Sequence, residues 1–354
     1  MNANNVLELQ HLAGVDGRSA PVAGVTLTVP AGGSLAVLGA AQSGKSSLLR
    51  LIAGFGVQSG GRVLFNGHDL ARVSPHRRPF SFVGSQDALF PHMSVADNVA
   101  YGLKAQGLER GEIQARVVQA LALFDAADLL KASPEHLNRA QRQKVALARS
   151  LAIEPLVLLL DEAFTALDPL EAGRVMATLS RLQRRVALTV VFSTTDGVAA
   201  MAQADAIAVL AGGALIQTGR PGELYDRPDH AVTARLTGPV NLLAGRATRR
   251  GIEIDGLGDI GARGSVGQGS PAALALRPDR IDLHLDRPQG PAHEARVERI
   301  AFSNLGLTAH VALRGSGERL SARVDSRRLA SDDLPEGRRV WCTWAEDDAR
   351  LVRV

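Results

Sequence analysis

The sequence contains very little cysteine and few aromatic side chains. Its single cysteine, Cys342, has no partner for an internal disulfide, and a metal site built from several thiolates is excluded. Phe, Trp and Tyr make up only 4% of the 354 residues, so the core must consist mainly of Ala, Leu and Val. This composition is typical of the buried strands of a parallel α/β sheet.

Long apolar runs are also absent. No stretch approaches the ~20 apolar residues that a membrane-spanning helix needs, so we predict no such helix. Residues 1–13 do not show a basic segment followed by an apolar one, and we therefore expect no secretory signal. Together these absences predict a cytoplasmic protein.

The charges are nearly balanced. Lys and Arg number 40 against 36 Asp and Glu, which gives a net charge of +4. An excess of basic residues can indicate a nucleic-acid partner. Here the acidic residues are interspersed with the basic ones, so no strong field of a single sign is expected. We expect no nucleic-acid partner.

The pattern of the first part of the chain indicates an α/β fold. Short apolar runs predict strands at residues 25–29, 35–38, 156–160 and 187–192. Apolar residues at helical spacing predict helices at residues 45–53, 112–126 and 140–152. Strands that alternate with helices in this way predict a parallel sheet with helices on its faces.

From residue 241 onward the helical pattern disappears. Short alternating runs are separated by Gly, Pro, Asp and Arg, at residues 251–254, 273–276, 295–300, 309–313, 320–324 and 340–344. Such spacing predicts a small all-β barrel or sandwich. We therefore predict two domains, residues 1–237 and residues 238–354.

A glycine-rich segment lies between a predicted strand and a predicted helix. It reads GAAQSGKS at residues 39–46 and fits the pattern GxxxxGK[ST]. In that pattern backbone N–H groups converge on phosphate oxygens, the lysine neutralises phosphate charge and the hydroxyl ligates Mg²⁺. An ordinary strand–helix turn is the alternative interpretation. The predicted nucleotide-binding residues are Gly39, Ala40, Ala41, Gln42, Ser43, Gly44, Lys45, Ser46 and Ser47.

An acidic pair follows the buried strand predicted at residues 156–160. Open parallel sheets bind ligands at the carboxyl ends of their strands, where Asp161 and Glu162 would lie. Asp161 is expected to reach Mg²⁺ through water, alongside Ser46, and Glu162 to act as general base on the attacking water. Glu162 and Lys45 are thus the predicted catalytic residues. The alternative for the acidic pair alone is a helix N-cap.

Several longer segments resemble the ATP-binding subunits of ABC importers, in the branch that carries a C-terminal transport-associated OB-type (TOBE) domain. The matching segments are SSLLRLIAGFGVQSGGRVLFNGHDL, ALFPHMSVADNVAYGLK, QRQKVALARSLAIEPLVLLLDEAFTALDP, VNLLAGRA, ALALRPDRIDL and WAEDDARLV. The resemblance implies a P-loop NTPase fold with a helical subdomain at about residues 88–152, followed by an OB-type β domain. It also implies that Asp168 is the aspartate of the D-loop.

The same resemblance implies cofactors and partners. The cofactors are ATP and Mg²⁺. The partners are transmembrane permease subunits, a second nucleotide-binding subunit, by family habit in a homodimer, and a solute-binding protein outside the membrane. The subunit would be peripheral on the inner face of the cell membrane, and the transported solute is not encoded in this chain.

The family pattern is broken at several positions. Gln42 replaces a P-loop glycine, Ala163 replaces the proline after the glutamate, and Asp16 falls near the aromatic residue that stacks on adenine. At the Q-loop, the departing residues are Ser85 and Gln86. At the LSGGQ signature they are Asn138, Arg139 and Ala140, and Thr195 stands at the position of the switch histidine. Because the signature and the histidine contact the γ-phosphate in this family, the departures predict slow or absent hydrolysis.

Three hypotheses follow. The first is a transporter ATPase, and the second is a subunit that binds ATP in a regulatory or structural role while hydrolysing it poorly. The third is a nucleic-acid binder, which the scarcity of aromatic side chains in the C-terminal part disfavours. Phosphate release that depends on Glu162 would separate the first hypothesis from the second.

Overall fold

The computed structural model describes residues 6–17, 20–85, 89–303, 306–325 and 327–354. Gln86, one of the predicted degenerate positions, lies outside the described residues, as does the predicted start of the helical subdomain at residue 88. The chain divides into two compact units, Met1–Pro221 and Gly222–Val354. This division falls earlier than residue 238, where the sequence pattern changes.

The first unit is organised around a six-stranded sheet of order β10-β9-β3-β8-β7-β6. All neighbouring strands are parallel except β9 and β10. The strands are β3 (Ser34–Leu38), β6 (Phe80–Val83), β7 (Val157–Asp161), β8 (Thr189–Thr194), β9 (Ala206–Ala211) and β10 (Ala214–Gly219). Every residue of β3 and β7 is buried, as expected for central strands covered on both faces. The predicted α/β fold class is confirmed.

A second sheet of the first unit was largely missed by the sequence analysis. It is antiparallel, with order β2-β1-β4-β5, and consists of β1 (Leu7–Val15), β2 (Val22–Val29), β4 (Val57–Phe65) and β5 (His68–Asp69). Only part of β2 was predicted. The pairing of β1 with both neighbours shifts register around residues 10–13, where His11 has a φ of 49°. These bulges and the glycines of β4 interrupt the alternation that normally indicates a strand.

The helices of the first unit are α1 (Lys45–Ala53), α2 (Val95–Ala105), α3 (Arg110–Ala122), α4 (Arg139–Ala152), α5 (Pro169–Val186) and α6 (Gly197–Gln203). Two predicted boundaries were wrong. The helix predicted to reach residue 126 ends at Ala122, because Asp125 has a φ of 52° that no α-helix accommodates. The strand predicted from residue 187 begins at Thr189, since Ala187 caps α5 in the left-handed conformation.

The second unit begins with two short helices and continues as strands. The helices are α7 (Pro221–Asp226) and α8 (Ala231–Leu236). One sheet has the order β13-β12-β11-β14-β20 and comprises β11 (Asn241–Ala247), β12 (Gly251–Ile254), β13 (Gly258–Gly261), β14 (Pro271–Leu276) and β20 (Arg350–Val352). Ala231 and Ala234 of α8 belong to a small buried cluster with Ala273, Ala275 and Val352, so α8 packs on this sheet.

The other sheet of the second unit has the order β15-β19-β16-β17-β18. Its strands are β15 (Asp282–His284), β16 (His293–Ser303), β17 (Gly306–Leu313), β18 (Arg319–Val324) and β19 (Arg339–Thr343). Its neighbouring strands pair antiparallel, and aliphatic side chains from both sheets form one buried cluster, which confirms the predicted β-rich C-terminal fold. Cys342 belongs to that cluster, and burial raises the pKa of its thiol to about 12.

Among the described residues, none of the helices combines the length and apolar character needed to cross a membrane.

Candidate nucleotide-binding site

The glycine-rich loop connects β3 to α1, as predicted. Lys45 is the first residue of α1, and its ammonium group is buried against the loop, where it donates to the carbonyl oxygens of Gly39 (3.0 Å) and Ala40 (2.8 Å). Burial lowers the pKa of Lys45, although the nearby carboxylates of Glu162 and Asp161 oppose this effect. Gly44 precedes the helix with a φ of 96°, a conformation that favours glycine.

The loop fits a phosphate group. The Ser43 hydroxyl is buried and has no hydrogen-bond partner among the described residues, although a buried polar group of this kind normally has one. A side chain at Gly39 would collide with the Ser43 hydroxyl and the Leu210 carbonyl, so only glycine leaves the loop its present shape. An unsatisfied hydroxyl and a buried ammonium group at the start of a helix are complementary to an anion.

Gln42, which stands where the family has glycine, adopts a backbone conformation that is unfavourable for residues other than glycine. Its φ is 61°, in the left-handed region. Gln42 would be tolerated at no cost only with a negative φ, and this condition is not met. A non-glycine residue costs about 1–2 kcal/mol in that region, so the loop stores strain at this position.

Asp161 is the last residue of β7 and contacts Ser46, the other predicted metal ligand. The Ser46 hydroxyl donates to Oδ1 of Asp161 at 2.7 Å, and the Ser193 hydroxyl donates to the same oxygen at 2.9 Å. Arg50 approaches the other oxygen of Asp161 at 3.9 Å. The structure thus brings together the two groups that the sequence assigns to Mg²⁺, Ser46 and Asp161, in a hydroxyl–carboxylate pair of the kind that binds hard cations.

Glu162 is held next to Lys45. Its carboxylate oxygen Oε1 lies 3.7 Å from the Lys45 ammonium nitrogen, and its side chain is 35% exposed. Its backbone N–H donates to the Ser193 hydroxyl at 2.9 Å, and its φ is 50°. A carboxylate that is partly open to solvent at the end of a buried strand can accept a proton from water.

Ser193 was not predicted as a site residue. It lies on β8, in register with Asp161 on β7, and its hydroxyl contacts both members of the acidic pair. The available signal was a small polar residue near the carboxyl end of a second apolar run. Which strand lies beside β7 cannot be seen from such a run alone.

Asp16 does not provide a surface on which adenine could stack. Its carboxylate is 1% exposed and accepts a hydrogen bond from Arg50 at 2.7 Å. The Ser47 hydroxyl donates to Asp16 at 3.2 Å and to the Ala20 carbonyl at 2.6 Å. Ser47, predicted to bind nucleotide, therefore uses its hydroxyl within the protein, and Arg50 links Asp16 to Asp161.

Comparison with known proteins agrees with this geometry. Residues 22–165 match the family described as ABC transporter, and residues 274–352 match the TOBE domain. The chain is 37% identical to the putrescine transport ATP-binding protein PotG of Escherichia coli, over 99% of this chain and 95% of that protein. The chain belongs to the family of ATP-binding subunits of ABC importers. The predicted resemblance is confirmed.

Other members of the family are similarly related to this ABC subunit. The sulfate/thiosulfate import ATP-binding protein CysA of Thermosynechococcus vestitus is 39% identical, over 86% of each chain. The solved structure of cbiO1 from Clostridium perfringens, part of the ABC transporter complex cbiONQ, has a TM-score of 0.57 and 28% identity. The match covers 63% of this chain and 91% of the cbiO1 chain. The predicted ABC-type P-loop fold is confirmed.

The residues predicted to correspond to the family signature lie at the start of α4. Asn138 caps this helix: its side-chain oxygen accepts from the Gln141 N–H at 2.8 Å, and the Gln141 side chain accepts from the Asn138 N–H at 2.9 Å. Asn138 and Arg139 are exposed, and Ala140 is partly buried. Asn138 thus caps α4, and the capping box engages the backbone N–H groups of Asn138 and Gln141 within the protein.

The remaining predicted positions lie at other strand and helix ends. Ser85 follows β6, and Thr195 is exposed just after β8. Asp168 is exposed and caps α5 by accepting from the Glu171 N–H at 2.7 Å. Ser85 and Thr195 thus follow strands on either side of β7, although neither has a side-chain bond to Asp161 or Glu162 in the described structure.

Proposed function

We propose that the chain binds ATP together with Mg²⁺ and serves as the ATP-binding subunit of an importer whose membrane channel is formed by separate permease subunits. The contact between the Ser46 hydroxyl and Asp161, with Lys45 beside it, carries the proposal. These are the groups needed to neutralise phosphate charge and to hold a hard cation at the same strand ends.

The residues would act as follows. Lys45 exchanges its bonds to the Gly39 and Ala40 carbonyls for phosphate oxygens, because charged acceptors bind an ammonium group more strongly than carbonyls do. Ser46 and, through water, Asp161 would hold Mg²⁺, which would supply positive charge to neutralise the phosphates. Glu162 accepts hydrogen bonds from the attacking water, and Ser193 keeps the Glu162 backbone in place.

We further propose that hydrolysis is slow. In a dimer of this family the signature of one subunit completes the phosphate site of the other, and here Arg139 and Ala140 stand where glycines would allow close backbone approach. Thr195 replaces the imidazole that contacts the γ-phosphate. The loss of one such contact costs on the order of 10²–10³-fold in rate.

In a second candidate function, the subunit binds ATP without hydrolysing the nucleotide and regulates or stabilises the transporter. The capping box of α4 favours this candidate, because Asn138 and Gln141 bind each other and leave fewer donors for a phosphate. Under either candidate the second nucleotide-binding subunit is proposed to be another copy of this chain, at the cytoplasmic face of the membrane. A solute-binding protein would deliver the solute from the other side.

A partly exposed aromatic cluster of Phe90 and Tyr101 supports the proposed association with permease subunits. Phe90 packs against Tyr101 with ring centroids 4.7 Å apart, Arg149 lies 5.5 Å from the Phe90 ring, and Tyr101 is 50% exposed. The buried amide of Asn98 holds the segment by bonding both the N–H and the carbonyl of Phe90. Aromatic side chains such as the exposed Tyr101, on a fixed backbone, are typical of protein–protein contacts.

The solute remains outside the proposal. The relatives at 37% and 39% identity are named for putrescine and for sulfate/thiosulfate, so identity does not select one of them.

The test compares phosphate release from ATP·Mg²⁺ by the wild type and by Glu162→Gln. Glu135→Gln is the matched control, because the Glu135 side chain is exposed and outside the strand ends that form the site. Release that Glu162→Gln abolishes and Glu135→Gln leaves unchanged supports the ATPase. ATP binding without release supports the second candidate, and an absence of ATP binding overturns both.

A further inference from the structure

Ser193 places a buried hydroxyl between the two members of the acidic pair. It lies on β8, is 1% exposed and stands in register with Asp161 on the parallel strand β7, so both side chains lie on the same face of the sheet. Its hydroxyl donates to Oδ1 of Asp161 at 2.9 Å and accepts from the backbone N–H of Glu162 at 2.9 Å. The single proton of this hydroxyl is therefore directed at the Asp161 carboxylate.

Among the described residues, three side chains form hydrogen bonds or ion pairs with the Asp161 carboxylate, and they differ in kind. The Ser46 hydroxyl donates to Oδ1 at 2.7 Å, but Ser46 is itself a proposed Mg²⁺ ligand. Arg50 lies 3.9 Å from Oδ2, beyond hydrogen-bond distance, and its guanidinium is bound to Asp16 at 2.7 Å. Within the described structure, Ser193 is thus the residue that hydrogen-bonds this carboxylate without a proposed nucleotide or metal contact of its own.

The backbone that follows Asp161 also depends on this hydroxyl. Strand β7 ends at Asp161, and Glu162 has a φ of 50°, a conformation that is unfavourable for residues other than glycine. Such a conformation persists only where neighbouring contacts hold it, and the bond from the Glu162 N–H to Ser193 is one of these contacts. One hydroxyl therefore fixes both the carboxylate of Asp161 and the start of the turn after it.

We propose that Ser193 is a positioning residue for Mg²⁺: by holding Asp161 in its present orientation, it sets the affinity of the nucleotide site for the cation. The inference rests on the proposed function and goes beyond it, because Ser193 acts through Asp161 and not by a contact of its own. Loss of a side chain that orients a metal ligand usually weakens metal binding by about 10–100-fold. Because Asp161 would reach Mg²⁺ through water, we expect the lower end of that range, about tenfold.

A second serine forms the same pair of bonds at the opposite end of the sheet. Ser34, 5% exposed at the start of β3, donates through its hydroxyl to Oδ2 of Asp205 at 2.8 Å and accepts from the Asp205 N–H at 2.9 Å. Because β3, β7 and β8 are parallel, the start of β3 lies at the edge of the sheet away from Asp161. Ser34→Ala removes an equivalent hydroxyl, so it separates a structural loss from an effect on the cation.

The test measures the Mg²⁺ concentration that gives half-maximal binding of a fluorescent ATP analogue to the full-length protein. We expect Ser193→Ala to raise this concentration by about tenfold and Ser34→Ala to leave it unchanged. With a chelator in place of Mg²⁺, both variants should bind the analogue as the wild type does, because the bonds of Lys45 to the loop do not involve Ser193. Urea unfolding without nucleotide should show a similar loss of stability in both variants.

Ser193→Val and Ser193→Thr keep the test decisive if Ser193→Ala fails to fold. Valine and threonine have nearly the same shape and both suit a strand, so the two variants differ mainly in the hydroxyl. Threonine should keep the wild-type Mg²⁺ requirement, and valine should raise it by about tenfold. An equal Mg²⁺ requirement in the valine and threonine variants, or in Ser193→Ala and Ser34→Ala, would overturn the proposal.

Ser46→Ala distinguishes a failure of this inference from a failure of the proposed function. If Ser46→Ala raises the Mg²⁺ requirement and Ser193→Ala does not, the positioning role is wrong and the proposed Mg²⁺ site stands. If the wild type does not bind the analogue, or binds it equally well with and without Mg²⁺, the proposed function fails and the positioning role fails with it.

Discussion

Two regions that are predicted to contact phosphate, the carboxyl ends of β3 and β7 and the start of α4, differ in how their polar groups are held. At the strand ends Ser46, Asp161 and Ser193 form direct bonds, and Asp161 is 3% exposed. At the start of α4 the side chain of the exposed Asn138 accepts from the backbone N–H of Gln141. Under the proposed function, holding a nucleotide and completing its hydrolysis would depend on separable parts of the molecule.

Burial makes Asp161 less tolerant of substitution than the exposed start of α4. Removing one partner from a buried, hydrogen-bonded carboxylate leaves an unpaired charge, which costs several kcal/mol. An exposed helix start tolerates substitution at a fraction of that cost as long as a capping residue remains, and Asn138 is such a residue.

The largest expected effect comes from restoring the signature and the switch. The quadruple variant Asn138→Ser, Arg139→Gly, Ala140→Gly and Thr195→His should release phosphate about 10²–10³-fold faster than the wild type, because γ-phosphate contacts are regained. Asn138→Ser alone is the control and should change the rate little. An unchanged rate in the quadruple variant would show that hydrolysis is limited elsewhere.

Lys45→Ala tests the other region. The buried ammonium group is the positive charge nearest to the predicted phosphate position, so its loss should weaken ATP·Mg²⁺ binding by about 10–100-fold. Equilibrium binding of a fluorescent ATP analogue measures this change. Lys104→Ala serves as the control, since Lys104 is exposed and pairs with Asp97. Equal affinity of the two variants would contradict the proposed phosphate site.

Gln42→Gly should stabilise the first unit. Removing the side chain relieves a φ of 61° and should raise the free energy of unfolding by about 1 kcal/mol in urea titrations. Ala41→Gly is the matched control: this neighbour has no positive φ and should lose about 0.5–1 kcal/mol. Changes of the same sign in both variants would argue against strain at Gln42.

The smallest expected effect concerns the cap of α4. Asn138→Ala should lower the free energy of unfolding by about 1 kcal/mol, while Asn138→Ser should keep most of it, because serine also caps helices. Thermal or urea unfolding monitors both. If alanine and serine behave alike, the capping box does not explain why Asn138 is tolerated in place of the signature serine.

Features that depend on neighbouring residues were predicted more successfully than features that depend on residues far apart in the chain. The loop, the helix that follows it and the acidic pair after β7 were predicted because each is a contiguous pattern with a local physical reason. The strand β1 was missed because its alternation is broken by register shifts around His11. Ser193 was missed because its importance depends on the pairing of β8 with β7.

The P-loop and the glutamate that follows Asp161 could be read from the chain because phosphate binding needs neighbouring backbone groups and one lysine in a fixed order. Whether Gln42 would be strained depended on a backbone angle that folding imposes. The Asp16–Arg50–Asp161 link joins residues far apart in the chain. Their meeting is set by strand order and helix packing, since side chains distant in sequence come together only where the tertiary fold places them.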